Sequence, residues 1–583
     1  MNESRPSAGT DLALVVFMAG AALAGVLWAA GAASALVSGH KAPQGHYLAG
    51  LEAFAHLSDP SVAWASPVGP AALYWSLALL AMAAAGLVAY GVGKMWRSLG
   101  AGNPAGASGG EGMATRQEVR QVAGAKALVS RSADLRRSLE RPRPADVGFR
   151  LGKARGTECW ASVEDSVLVL GPPRSGKGLH LVVPMVLDAP GAVVTTSTRP
   201  DNLALTLAAR SGGAPVMVFD PQGLAGAGGH QPLLRWSLTR GCEEAQTAMV
   251  RAQALVPAAG SAGVENANFW RAQALSVTRC LLHAAALEGR PVADLYRWSH
   301  SAGPAKEAIA VLGSHPGAVP GWDGALDAVV SADQRTRDSI WAMVANTFAP
   351  LADPAVLAAL SPEPSTGLDP LAFLAMGGTV YLLGTASGAS AAATLVAALV
   401  EDLVESARKL AARSPGQRLD PPLALVLDEA ANYALPSLPS LMSEGGGSGI
   451  TTVAVLQSLA QARDRWGREA AQATWDAAIV KVVLGGSANA DDLADLSRLT
   501  GERAVREWSE TRHGSSPGRS VSSSVRYRPV LEASELRRLR FGTALLLLRS
   551  AAPMIMDLRP WTARPDAPAL QAAREAWEAG AHA

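Results

Sequence analysis

The chain has 583 residues, enough for several domains with ample cores. Its 51 Lys and Arg against 50 Asp and Glu leave a formal charge of +1, which excludes a global basic field for nucleic acid. Cys159, Cys242 and Cys280 lie far apart with no CxxC pair, which excludes a cysteine zinc site and a disulfide framework.

Residues 12–39 and 60–93 carry no charged side chain. A spanning helix needs roughly 20 apolar residues. The sequence therefore predicts a membrane anchor over 1–97 with two transmembrane helices, about 12–37 and 71–92. Between them stands one lysine, Lys41, and no arginine, whereas residues 94–150 carry eleven Lys or Arg. The positive-inside rule then puts both ends in the cytoplasm. The expectation is a multi-pass protein of the inner (plasma) membrane with its main body in the cytoplasm. Competing readings are a signal peptide cut after Ala33-Ser34-Ala35, against which stand the length of the stretch and a leading charge of only Arg5, and two buried helices of a soluble core, against which stands the length without a single charge.

Residues 98–144 read as a Gly/Ala/Ser linker followed by a basic helical segment. There Arg136, Arg137, Arg141 and Arg143 suit a solvated face better than lipid contact. Eight short apolar runs follow, at 166–171, 191–197, 215–220, 379–384, 423–429, 451–458, 477–485 and 542–549. Continuous apolar strands between helices predict an α/β fold with a parallel-rich sheet covered on both faces. The gap after the third run is too long for one crossover. It reads as helices near 242–256, 267–289, 303–313 and 334–348, an all-α insertion over 228–375. The α/β domain then comprises 145–227 and 376–560. Residues 512–526 read as a Ser-rich mobile loop. Residues 561–583 read as a short tail, either docking a partner or frayed.

"GPPRSGKG" at 171–178 nearly completes the phosphate-loop pattern G-x-x-x-x-G-K-[ST]. A strand, a Gly-rich turn and a helix opening at Lys177 would aim backbone N–H groups at phosphates. The expected nucleotide contacts are Gly171, Pro172, Pro173, Arg174, Ser175, Gly176, Lys177, Gly178 and Leu179. Gly178 stands where a hydroxyl would hold magnesium, and water can replace it as a ligand. The apolar run "LALVLDEAANYALP" (423–436) ends in two acids. Asp428 would hold Mg2+ through water, and Glu429 would polarise the attacking water. Gln457, at the end of "TTVAVLQS", would sense the γ-phosphate. ATP and Mg2+ are the cofactors this set implies.

The loop, the run from Asp428 through Gln457 to Trp466, and Phe269-Trp270 together resemble the TraG/TraD-like coupling proteins of type IV secretion and conjugation. The resemblance covers about 145–560. It implies a RecA-like P-loop ATPase domain with an inserted all-α domain, acting as a homo-hexamer. It also implies relaxase or other secretion substrates, DNA and secretion-channel membrane proteins as partners. A glycine after the Lys is usual in that family. Two departures stand out. Gly446 occupies the place of an Arg that reaches the neighbouring subunit's nucleotide, with Arg463 and Arg465 as substitutes. The Asp-Pro-Lys of many relatives is missing near Arg199 and Asp201. Alternatives are an FtsK-like DNA translocase, a protein-only secretion ATPase, and a nucleotide-binding recruitment platform with little hydrolysis.

Overall fold

The computed structural model describes residues 8–41, 43, 46–100, 111–226, 233–256, 267–363, 366–385, 392–512 and 519–581. They form two compact units, Met1–Ala107 and Ser108–Ala583.

In the first unit, helices Ala8–Val37 and Ala71–Gly100 pack on each other, with short helices Ala49–Glu52 and Ser61–Trp64 between them in sequence. Small residues let the elements approach: the Trp64 ring lies against Gly31, and Gly50 sits on Leu27. Trp64, Val68 and Tyr74 close a small buried cluster with Ala49 and Ala53. Among the described residues no helix is long and apolar enough to cross a membrane. This overturns the expected two-span anchor and, with it, the inner-membrane location. Alanine and glycine fill much of residues 12–39 and 60–93. Absence of charge does not by itself make a span.

The second unit is built on one eleven-stranded sheet and a separate two-stranded ribbon. In chain order the strands are β1 (Gly148–Ala154), β2 (Thr157–Ser162), β3 (Val167–Leu170), β4 (Val193–Ser197), β5 (Val216–Phe219), β6 (Thr379–Leu383), β7 (Leu423–Leu427), β8 (Ile450–Leu456), β9 (Val480–Leu484), β10 (Glu502–Arg512), β11 (Arg519–Pro529), β12 (Thr543–Leu548) and β13 (Met554–Leu558). The sheet order is β2-β1-β13-β12-β9-β3-β8-β7-β4-β6-β5. From β9 to β5 every pairing is parallel, and from β2 to β9 every pairing is antiparallel.

Each of the eight apolar runs is a strand. Val167 and Val169 of β3 face Leu181, Val182 and Met185, while Leu168 and Leu170 face the opposite core. Burial on both faces is why these strands are apolar throughout. The serine-rich segment departs from expectation. β10 and β11 pair in register from Glu502–Pro529 to Arg512–Arg519, and residues 513–518 lie outside the described residues. Val525 and Tyr527 alternate with polar residues, a strand period that the serines before them mask.

Between β5 and β6 the chain is helical, including Ala245–Leu255, Ala267–Leu287, Gln334–Phe348 and Pro370–Ala375. One core runs from these helices onto the sheet and helix Ala393–Arg413. Arg251, 2% exposed, fastens the two. It donates to Asp402 Oδ1 at 2.5 Å and to the carbonyls of Leu238 and Arg240, while Trp236 Nε1 donates to Asp402 Oδ2. A buried charge without its partner is far costlier than no pair at all. Arg251→Met should therefore destabilise the protein by about 3–5 kcal/mol in denaturant unfolding, and adding Asp402→Leu should restore part of that loss.

Candidate functional site

β3 ends at Leu170, and the Gly171 N–H donates to Leu456 O at the end of β8. The loop then turns through positive φ at Arg174 (62°) and Gly176 (89°). A Cβ at Gly176 would lie 2.7 Å from His180 Nδ1 and 2.9 Å from the Phe541 ring, so only glycine fits. His180 is buried, with Nδ1 3.0 Å from Gly176 O, and burial holds it below the usual histidine range. It packs the loop from behind. Pro184 offers no N–H to the carbonyl four residues back, and the helix starts with a wide turn, Gly178–Val182, before Val183–Asp188.

The order β3-β8-β7-β4 brings four carboxyl ends side by side. Asp428 and Glu429 follow β7, Gln457 follows β8, and Thr198 and Asn202 follow β4. Glu429 takes a left-handed conformation, φ 50° and ψ 44°, a strain of roughly 1–2 kcal/mol. Its Oε2 accepts from Asn432 Nδ2 at 2.8 Å and Thr198 Oγ1 at 3.1 Å. Gln457 Nε2 reaches its Oε1 at 3.4 Å. The Asp428 carboxylate accepts from the Glu429 N–H at 3.0 Å and from Asn202 Nδ2 at 3.4 Å. Its carboxyl is pushed up to about 6, first by burial and then by the charge of Glu429, with Lys177 and Asn202 pulling the other way. Lys177 is shifted down by burial, against the attraction of both acids. Its Nζ donates to Gly171 O at 2.7 Å and weakly to Pro172 O.

These groups line a cleft of about 570 Å³. Of the expected contacts, residues 173–179, Asp428 and Glu429 form its wall. Gly171 and Pro172 stand behind it and hold the Lys177 ammonium, and Gln457 joins through Glu429. Sequence reasoning missed Thr198, Asn202 and Asn432. The first two were findable, because ligands of parallel sheets bind at strand carboxyl ends. Trp561 and Arg574 also line the cleft, with no local signal to announce them.

The residues fit a nucleotide and magnesium on two counts. Two adjacent carboxylates held in a partly buried wall are relieved by a divalent cation. Ser175 Oγ is buried in the loop without a hydrogen-bond partner. The expected substitutes for the trans-acting Arg are less available. Arg463 Nη2 bonds the buried Asp492 at 3.0 Å, and Arg465 lies beside Asp464. At Gly446 a Cβ would run into the Glu164 carbonyl oxygen, and Arg418 ties Gly446 O to the Glu164 carboxylate. The backbone approach there excludes any side chain.

Two outcomes follow from this geometry. A Cβ at Gly178 would meet only Asn202 Oδ1, at 3.6 Å. Gly178→Ala should keep ATP turnover within about tenfold of wild type in a steady-state assay, because no ligand is removed. The raised Asp428 carboxyl binds its proton more tightly in the folded protein than in the unfolded chain. Stability of the magnesium-free protein should thus fall as pH rises from about 4 to about 6 and stay lower above that. Asp428→Asn should remove this slope and raise the unfolding temperature above about pH 7 by a few degrees, with little difference below pH ~4.

Residues 422–541 match a family model described as the TraM recognition site of TraD and TraG. A search of curated proteins finds no match. Among solved structures, the unbound bacterial conjugative coupling protein TrwBΔN70 aligns with a TM-score of 0.53 at 18% identity, over 75% of this chain and 92% of that one. TrwB in complex with ADP and Mg2+ aligns at 0.51 and 18% over 73% and 91%, and TrwB with the ATP analogue ADPNP at 0.52 and 17% over 75% and 92%. At these identities the likeness establishes the fold: a large, mostly parallel α/β sheet of the RecA-like kind. On that fold, the segment from β7 to the approach of β12 is similar to the TraG/TraD-like coupling proteins.

Proposed function

We propose that this chain is an ATPase that couples DNA–protein substrates to a type IV secretion or conjugation channel. Hydrolysis would serve substrate recruitment or translocation. The observation that carries this reading is the meeting of Lys177, Asp428, Glu429 and Gln457 at neighbouring strand ends. TrwB holds ADP and Mg2+ in one of its structures, which supports the same cofactors here.

In this reading Lys177 leaves the carbonyls of Gly171 and Pro172 for the β- and γ-phosphates. Residues 174–178 offer backbone N–H groups to the same charge. Asp428 would hold magnesium, which would supply charge neutralisation at the transferring phosphoryl group. Glu429, fixed by Thr198 and Asn432, orients and polarises the attacking water. Gln457 links the γ-phosphate position to Glu429. The protein acts as a homo-hexamer on a relaxase–DNA complex or other secretion substrate. The family description supports recognition of a TraM-like protein through residues 422–541.

Gly446 favours a second reading. With no room for an Arg there, the chain would be a nucleotide-binding recruitment platform that hydrolyses little ATP.

Lys177→Ala should abolish ATP turnover, and unchanged turnover would remove the motor reading. Glu429→Gln should retain ATP binding and lose ~10²–10⁴-fold in turnover. The two readings separate in an assay of ATP hydrolysis against protein concentration, with single-stranded, duplex or no DNA. Turnover that rises with concentration and with single strands, and falls with salt, supports the coupling ATPase. Stimulation by duplex alone favours an FtsK-like translocase. Turnover indifferent to both DNA and concentration favours the platform.

A further inference from the structure

Helix Ala567–Ala581 lies outside the sheet, yet this part of the chain sends Trp561 and Arg574 into the wall of the nucleotide cleft. We propose that Trp561 and Arg574 are nucleotide-contacting residues, and that helix Ala567–Ala581 is a clamp held down by bound nucleotide. The proposal rests on the reading of the cleft as an ATP site and adds a second layer to it.

The cleft wall is of two chemical kinds. Lys177, Asp428 and Glu429 are ionic. Leu179, Val183, Leu205 and Trp561 are apolar and cluster together. Trp561 is 7% exposed and packs with Val183, Leu205 and Leu570. An aromatic-walled apolar cluster beside a phosphate loop suits a nucleobase and the face of its sugar.

Leu570, Arg574 and Trp577 recur at i, i+4 and i+7 and so share one helix face. Leu570 packs beside Trp561, and Trp577 packs on the cluster of Leu203, Leu207 and Val218. Arg574 is carried between these two anchors, on the face turned to the cleft. Its ion pair is with Glu578 one turn on, at 2.7 Å, with side chains 40% and 52% exposed. Such a solvated pair is weak, and a phosphate oxygen is a stronger acceptor for a guanidinium. At the start of the segment Arg564 bonds Asp188 of the P-loop helix at 2.5 Å and Asp566 at 2.9 Å. The segment is thus hinged on the element that begins at the phosphates. A nucleotide touching both kinds of wall would draw Arg574 inward and press the helix onto its bed.

The test is calorimetric titration of Mg-ADP into the full-length wild type, Arg574→Ala, Arg574→Lys and Lys177→Ala. It is paired with hydrogen exchange over residues 567–581 and with unfolding temperatures. Arg574→Ala should lose about tenfold in affinity at an unchanged unfolding temperature, and Arg574→Lys should recover part of it. Mg-ADP should slow exchange over 567–581 in the wild type and not in Arg574→Ala. Wild-type affinity in Arg574→Ala overturns the proposal. So does a loss that Arg574→Lys does not reduce, because packing rather than charge would then be at work. Binding by the wild type that Lys177→Ala weakens keeps the ATP reading whatever Arg574 does. Absence of binding by the wild type removes the ATP reading and the clamp together.

Discussion

Two carboxylates side by side at the end of one parallel strand set the terms for the rest of the site. Asp428 and Glu429 repel each other in a partly buried wall, and burial and that repulsion hold the Asp428 proton up to about 6. Almost everything around them answers that charge. Asn202, Thr198, Asn432 and Gln457 donate to the pair, and the Lys177 ammonium stands on the opposite wall. Glu429 accepts a left-handed backbone at the end of that strand. Two carboxylates held this close in a partly buried wall are relieved by a divalent cation.

Sheet order makes this possible. β8 lies between β3 and β7, so the phosphate loop and the acids face each other across the width of one strand, with Gln457 at the end of that strand. Parallel pairing puts all carboxyl ends on one edge, and the register of β3 on β8 and of β7 on β8 fixes their heights. Helices on both faces keep the strands dry.

The helical region after β5 is fastened to the same body by a polar device. Arg251 and Asp402 are buried together with Trp236, a geometry that tolerates little displacement of helix Ala393–Arg413. Close backbone approach acts similarly at Gly446, where the Glu164 carbonyl and Arg418 fix a turn at the expense of any side chain. Gly446 therefore has no room for a side chain, and Arg463 is engaged with Asp492.

The sequence by itself determined the α/β class and the eight apolar strands, because burial on two faces leaves an unbroken apolar run. It also marked Lys177, Asp428 and Glu429, because phosphate loops and strand-end acids are local chemistry, legible within a few residues. It misjudged residues 12–39 and 60–93, read as spans from their lack of charge, and 512–526, read as a loop from its serine content. β1, β2 and β13 carry mixed polarity on antiparallel pairings and gave no comparable run. Only the tertiary structure decided which strand lies between β3 and β7, that Thr198 and Asn202 meet the acids, and that Trp561 and Arg574 reach the cleft. Thr198 and Glu429 lie 231 positions apart, and Asn202 and Asp428 lie 226 apart. No local pattern encodes such a distance; it is set by the order in which strands pair and by which helix covers which edge.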